Sequence, residues 1–163
     1  MQNVQPEEHP EYEYAGFWLR TGACLIDSLF FSLILLPVLV MFYGTDYFYS
    51  DSLFRGTADI AINWIVPAIL TVVLWRNYQA TPGKMALRLR VLDAESGHSA
   101  STGQYIGRYL GYFVSTVPMG LGFLWVAFDR RKQGWHDKLA GTVVVRELRT
   151  PPVKFRSRPS PRR

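Results

Sequence analysis

The sequence predicts an all-α membrane protein. It reads as a helix bundle of two full spans plus a broken third region, a re-entrant or short helical hairpin, with a small cytoplasmic two-stranded β-ribbon. Three observations carry this. Of 163 residues, 48% are hydrophobic and 15% aromatic against 19% charged, which is more apolar than an ordinary soluble domain. Apolar runs of membrane-spanning length recur along the chain. The formal charge of +5 is gathered between and after those runs instead of being spread evenly.

Residues 1–14 form an acidic segment with Glu7, Glu8, Glu11 and Glu13 and no Lys or Arg. No basic region opens it and no small-residue cleavage site follows the first apolar run, so a signal peptide is not expected. The first span runs from Ala23 to Tyr43, apolar except for Asp27 and two serines. At ~1.5 Å per residue it crosses a hydrocarbon core of ~30 Å. Cys24 is the single cysteine, which excludes an internal disulfide and a multi-cysteine metal site; it reads as a small packing residue. Ala58 to Trp75 is the second span, broken only by Asp59, Asn63 and Thr71. Asn63, Pro67 and Thr71 make a mildly polar stripe with a kink signal at the proline, and interhelical hydrogen bonding is its expected use.

Charge sets the orientation. The connection from Gly44 to Asp59 holds Asp46, Asp51 and Asp59 against Arg55, whereas Arg76 to Arg108 holds five Lys or Arg against Asp93 and Glu95. The positive-inside rule puts the first outside and the second, with the N-terminus, in the cytoplasm. A third apolar region, Tyr109 to Phe128, would then send the most basic part of the chain outside if it crossed once. The stretch "STVPMGLG", Ser115 to Gly122, offers a break, because Pro118 removes a backbone donor and Gly120 and Gly122 weaken a helix. Two half-helices fit, roughly Thr102 to Thr116 and Gly120 to Phe128. A hairpin that returns to the cytoplasmic side is preferred to one kinked helix, and its turn must be shielded by protein.

The ribbon follows from two β-type runs. In "LRLRVLDAESG", Leu87, Leu89 and Val91 alternate with Arg88, Arg90 and Leu92; "TVVVRE", Thr142 to Glu147, is β-branched. Pairing them, with Val91 and Val144 in facing strands, requires both on one side of the membrane, as the hairpin allows. The domain therefore extends over 15–148, and the Pro-, Ser- and Arg-rich tail 149–163 is expected to be disordered and basic.

Charged residues near lipid supply the candidate chemistry. Arg20 and Asp27 are seven apart, nearly two helical turns, so they share a face with the small residues Gly16 and Ala23. Asp27 lies ~10 Å deeper than Arg20 at the helical rise, where an unpaired carboxylate is costly and must find a cation or a proton. Arg76 and Arg108, ending apolar segments on the same side, are the charge partners open to Asp27 or Asp129. Arg20, Asp27, Asp129 and Asp137 are accordingly expected in one cluster with Arg76 or Arg108. Lys84, Arg88, Arg130, Arg131 and Lys132 are expected to face anionic lipid headgroups. "TPGK", Thr81 to Lys84, lacks the first glycine and the hydroxyl residue of a phosphate loop; Thr81 as N-cap with Pro82 at the first helical position explains it better. His136 beside Asp137 has no second His or Cys at ligand spacing, so no metal is expected. No set of nucleophile, base and orienter is evident, so no catalytic residue, cofactor or enzyme activity is expected.

The stretches "AGFWLRTGACLIDSLF", "QATPGKMALRLRVLDAESG", "GRYLGYF" and "FDRRKQGWHDKLAGTVVV" resemble, in order and spacing, the RDD family of small bacterial integral inner-membrane proteins, named for an arginine and two aspartates. The resemblance implies that the arginine is Arg20 and the aspartates Asp129 and Asp137, with Asp27 also a motif residue. It implies a multi-pass protein of the bacterial inner membrane, and cation/proton exchange has been ascribed to some members. Two functions of different class remain open. One is a small cation/proton transporter or exchanger that uses Arg20, Asp27, Asp129 and Asp137 as ion or proton sites. The other is a non-catalytic scaffold or accessory subunit whose basic face binds anionic lipid or a partner protein. A homo-oligomer suits the first, since so few helices make a narrow pore; nucleic acid is not an expected partner.

Overall fold

The computed structural model describes residues 11–49 and 56–148. It is mostly helical with one small antiparallel sheet. Strand β1 (Tyr12–Tyr14) leads into helix α1 (Phe17–Tyr43), followed by a 3-10 turn, Thr45–Phe48. The second span is composite: α2 (Thr57–Ile60), a π-helical turn (Ala61–Ile65) and α3 (Val66–Tyr78). Short α4 (Pro82–Ala86) and β2 (Leu89–Asp93) come next. Then follow α5 (Thr102–Thr116), α6 (Leu121–Leu124) with a 3-10 extension Trp125–Ala127, α7 (Trp135–Ala140) and β3 (Thr142–Glu147). The expected disorder of the tail 149–163, and part of the acidic segment, lie outside the described residues.

Two helical stretches, Phe17–Tyr43 and Thr57–Ala86, are long and apolar enough to cross a membrane. Their apolar side chains have few protein neighbours: Leu25 and Leu33 are 68% exposed and Met41 85%. In water such surface would cost about 25 cal/mol per Å²; in hydrocarbon it costs nothing. The π-turn lies directly ahead of Pro67, which has no N–H to give the carbonyl four residues back and crowds it, so the helix widens there. The two spans have few contacts along their length. Helix α1 packs chiefly on α4, α3 on α5, and α5 on α7, so most of the packing lies near one end, with Tyr47 and Asn63 linking the far end.

That end is the head. The pairing of β2 with β3, expected from the sequence, is antiparallel with Val91 opposite Val144. The sheet nevertheless has three strands in the order β1-β3-β2, not two. Tyr12–Tyr14 adds alongside β3, with Tyr14 opposite Val145; a run of three residues in an acidic segment carries too little pattern to announce itself. One sheet face, Leu89, Val91 and Val144, is buried with Ala15, Ala23, Trp75 and Tyr105. The other carries Leu92, Val143 and Val145. Cys24 is exposed rather than packed, because the buried stripe of α1 runs through Ala23, Asp27 and Leu39.

The third region is broken, as the proline and glycines imply: Thr102–Thr116 and Leu121–Ala127 meet at 113°. Both ends of this hairpin return to the head. At its start the Gln104 side chain donates to the Gly141 carbonyl at 3.3 Å; beyond its end Gln133 Nε2 donates to the Thr142 carbonyl at 2.8 Å. Gly122 closes it, since a Cβ there would sit 2.6 Å from the Ser115 Cα and Cβ. A Cβ at Gly107, on the same hairpin, would meet nothing within 4 Å. Gly122→Ala should therefore cost about 1–3 kcal/mol by overpacking, while Gly107→Ala should be neutral or stabilise by up to ~1 kcal/mol through helix propensity. Thermal unfolding of the two variants in the same detergent checks this contrast.

Candidate charge cluster at the head-membrane junction

Asp137 organises the junction. It stands at the third position of α7, and its Oδ2 accepts from the Gly134 amide at 3.0 Å, the acidic half of a capping box. The same carboxylate receives two arginines. Arg20 Nη1 from α1 lies 2.5 Å from Oδ2, and Arg108 Nη1 from α5 lies 2.5 Å from Oδ1. The Asp137 side chain is fully buried and that of Arg108 nearly so. Arg20 spends its other donors on backbone, Nε to the Ala15 carbonyl at 3.0 Å and Nη2 to the Lys132 carbonyl at 2.5 Å. Arg108 also donates to Thr142 Oγ1 at 3.0 Å, and its guanidinium carbon sits 5.2 Å from the Trp75 ring centroid and 5.9 Å from that of Tyr112. The planar, multi-donor guanidinium suits this use, because one side chain joins several segments. Burial alone would raise the Asp137 pKa. The Arg108 and Arg20 charges outweigh it and hold the carboxyl well below the usual carboxylate range.

The other two aspartates have their own partners. Asp27 is capped onto α4, where its Oδ1 accepts from the Gly83 amide at 2.7 Å and its Oδ2 from the Thr81 hydroxyl at 2.5 Å. Thr81 does stand at the N-cap of α4 with Pro82 after it, but its side chain makes no cap bond of its own; the carboxylate of α1 takes over that task. Gly83 makes the approach possible, since a Cβ there would lie 2.2 Å from the Ala23 carbonyl oxygen. Lys84 Nζ is 4.0 Å from Asp27. Asp129 pairs with Lys138 at 2.5 Å and accepts from the amides of Arg131 and Gln133 at 3.0 and 3.1 Å. The Lys138 bond, against a small burial effect, holds its carboxyl below the ordinary range.

The single cluster expected from the sequence is thus divided in three. Arg20, Asp137 and Arg108 are together; Asp27 and Asp129 are not with them. Arg108 pairs with Asp137 and not with Asp27 or Asp129. Arg76 is exposed at the end of α3 and makes no ion pair among the described residues. Of the cations expected on lipid, Arg130 and Arg131 are exposed. Lys84 turns inward, to Thr81 Oγ1 at 3.3 Å and over the Trp75 ring at 5.7 Å, because the cap leaves excess negative charge beside it. Lys132 Nζ donates to the Ala127 carbonyl at 3.1 Å.

Four contributors, Trp75, Ser115, Tyr112 and Phe123, carry no sequence signal of their part in the junction. Trp75 is fully buried under Arg108. Ser115 Oγ lies 3.1 Å from His136 Nδ1 and accepts from the His136 amide at 3.2 Å. The His136 ring packs on Tyr112 and Phe123 with centroids 4.7 and 5.1 Å apart. His136 Nε2 lies 3.4 Å from Asp137 Oδ1. Ser115, His136 and Asp137 resemble a nucleophile, a base and an acid by type. All three are buried and the acid is committed to two arginines, so the set pins the hairpin to α7. Among the described residues no group of His, Cys, Asp and Glu is placed to hold a metal ion.

The chain matches the RDD family over residues 14–141, and it belongs to that family. YxaI, an uncharacterized protein of Bacillus subtilis strain 168, is 29% identical over 149 residues, covering 80% of this chain and 96% of the relative. YteJ, an uncharacterized membrane protein of the same organism, is 30% identical over 145 residues, covering 88% and 87%. YckC, also an uncharacterized protein of that organism, is 28% identical over 138 residues, covering 82% and 85%. No solved structure matches the chain.

Two outcomes are expected of this geometry. Asp137→Asn leaves two buried guanidinium groups facing each other and should cost more than Arg20→Gln, about 3–5 kcal/mol. The Arg20→Gln and Asp137→Asn losses should be strongly non-additive, whereas Arg20→Gln with Asp129→Asn should add; unfolding of the single and double variants in detergent decides. The second outcome concerns acid. Burial pushes the His136 imidazole down to about 3, with Asp137 opposing and Arg108 and Arg20 adding to the effect. The unfolded imidazole takes its proton near pH ~6.5. Stability should be complete above that value and fall as pH drops toward 3, by at most ~1.4 kcal/mol per pH unit, because only the unfolded state binds the proton. His136→Phe should flatten the slope between pH 4 and 6.5, leaving the Asp137 loss at lower pH.

Proposed function

We propose that this membrane protein acts as a non-catalytic scaffold or accessory subunit, holding a rigid sheet-bearing head at the cytoplasmic face of the bacterial inner membrane. The observation that carries this reading is the commitment of Asp27. It is the one acid inside the first span, and its two oxygens are taken by the Thr81 hydroxyl and the Gly83 amide. A carrier carboxylate must exchange its partner, whereas this one holds a helix end. Arg20, Asp137 and Arg108 are likewise tied to backbone and to each other. Orientation rests on the positive-inside rule: every described Lys and Arg belongs to the head or to the head end of a helix, and none belongs to residues 40–49 or 56–64. Both termini are then cytoplasmic, and Arg130 and Arg131 lie beside anionic headgroups. A partner membrane protein, or a second copy, is the natural occupant of the bare faces of the spans.

Transport is the second reading, and one observation favours it. Two carboxylates are buried at opposite ends of the spans. Asp27 is near the head, and Asp59 is at the far end, where the Asn63 amide donates to it at 2.7 Å and to the Tyr47 hydroxyl at 3.1 Å. That site adjoins the π-turn, a geometry frequent at functional positions.

Proteoliposomes separate the two. Under the scaffold reading, reconstituted protein gives no cation- or pH-driven flux, and Asp27→Asn lowers stability by about 1–3 kcal/mol through the lost charged cap. Flux that Asp27→Asn or Asp59→Asn abolishes in a still-folded protein would establish transport instead. In a Cys24→Ser background, single cysteines at Ser50, Ser96 and Ser157 should label from outside only at position 50.

A further inference from the structure

A groove of about 400 Å³ opens between the end of α3 and the start of β2, lined in part by Asn77, Tyr78, Gln79, Met85, Arg88 and Arg90. We infer that it binds the phosphate of an anionic phospholipid, with one acyl chain lying along α3. The inference rests on the proposed membrane-facing head and gives its basic surface one defined ligand.

Four observations carry it. First, Arg88 is half-buried in the wall and its guanidinium has no hydrogen-bond or ion-pair partner among the described residues. The other half-buried or buried arginines there, Arg20 and Arg108, are both ion-paired to Asp137. An Arg in such a place suits a phosphate, whose oxygens take parallel N–H bonds. Second, the acid in the wall is already neutralised, since Glu147 is 3.2 Å from Arg90 Nη2. One unit of positive charge therefore remains from Arg88, Arg90 and Glu147.

Third, the two bends that shape the groove are both strained. Gln79 at φ 58° and Arg88 at φ 56° are left-handed without being glycine. Each such residue costs energy, and strain of this kind gathers at ligand clamps. The backbone holds these bends by pairing across them: the Val91 amide donates to the Gln79 carbonyl at 2.6 Å and the Glu147 amide to the Arg88 carbonyl at 3.1 Å. Fourth, the groove continues an apolar track. Ile69, Val73 and Asn77 stand four apart on α3, so they share a face. Ile69 and Val73 are 58% and 47% exposed, and Asn77 belongs to the groove. A chain laid on that stripe delivers its headgroup to Arg88. A soluble phosphate would have no use for the stripe, which favours a lipid as the source.

The test uses the full chain purified in a non-ionic detergent. Phosphatidylglycerol, phosphatidylcholine or inorganic phosphate is added, and bound lipid is counted by native mass spectrometry while thermal unfolding is followed in parallel. Phosphatidylglycerol should bind in preference to phosphatidylcholine with one saturable site. Arg88→Gly keeps the left-handed bend at lower strain, so the lipid-free protein should be at least as stable as wild type, yet lose fivefold or more of its phosphatidylglycerol affinity. Arg146→Gln, which removes an exposed cation that does not line the groove, should change that affinity less than twofold. Equal losses from both variants would overturn the groove while leaving a diffuse basic surface intact. Saturation by inorganic phosphate at the same Arg88-dependent site, with no preference for lipid, would overturn the lipid assignment. Absence of any anionic-lipid preference in wild type would overturn both the groove and the lipid-binding face proposed above. None of these results depends on whether the protein conducts ions.

Discussion

The structure depends on one buried carboxylate shared by two arginines. Asp137 comes from a short helix of the head, Arg20 from the head end of the first span and Arg108 from the first arm of the hairpin. Among the described residues nothing else joins all three so directly, since the spans scarcely pack along their lengths. An isolated ion here would be prohibitively costly to desolvate. Two arginines, a capping amide, a threonine hydroxyl and the faces of Trp75 and Tyr112 offset that cost, with Arg108 Nε and Asp137 Oδ1 left without a hydrogen bond among the described residues. The arrangement leaves a net positive charge at the junction, where backbone carbonyls of Ala15 and Lys132 share it.

The second and third acids show why a charged stripe on a helix does not announce its partners. From spacing alone Arg20 and Asp27 share a face, and so they do. Their partners are set by elements far along the chain: α4 reaches Asp27 because Gly83 has no side chain, and α7 reaches Arg20 because the hairpin returns. The pairing of Val91 with Val144 was legible because alternation and β-branching are local signals. The break near Pro118 was legible for the same reason. Strand β1 was not, because three residues of alternating Tyr and Glu have no pattern until β3 is beside them. Lys84 reads as facing anionic lipid from its basic neighbourhood; only the proximity of Asp27 explains its inward direction. Trp75 and His136 carry no distinguishing signal, since an aromatic at a helix end and a histidine beside an aspartate have many uses.

The hairpin gains meaning from the same junction. From Arg108 to Val117 the helix rises ~14 Å, about half a hydrocarbon core. Val117 and Met119 at its turn are 84% and 95% exposed. Inside the hairpin Ser115, His136 and the close approach at Gly122 hold the arms together. The head is therefore joined to two helices long and apolar enough to cross a membrane and to one broken helical pair, all meeting beneath a three-stranded sheet.

Hydrogen exchange in lipid nanodiscs tests the central role of Asp137 most directly. If its carboxylate is the joint, Asp137→Asn should raise exchange together in Phe17–Thr21, in the first turns of α5 around Arg108, and in α7 with β3. These segments are distant in sequence, and Asp137 is the carboxylate on which they converge. Faster exchange confined to 134–140, with the head ends of α1 and α5 as protected as in wild type, would contradict the account.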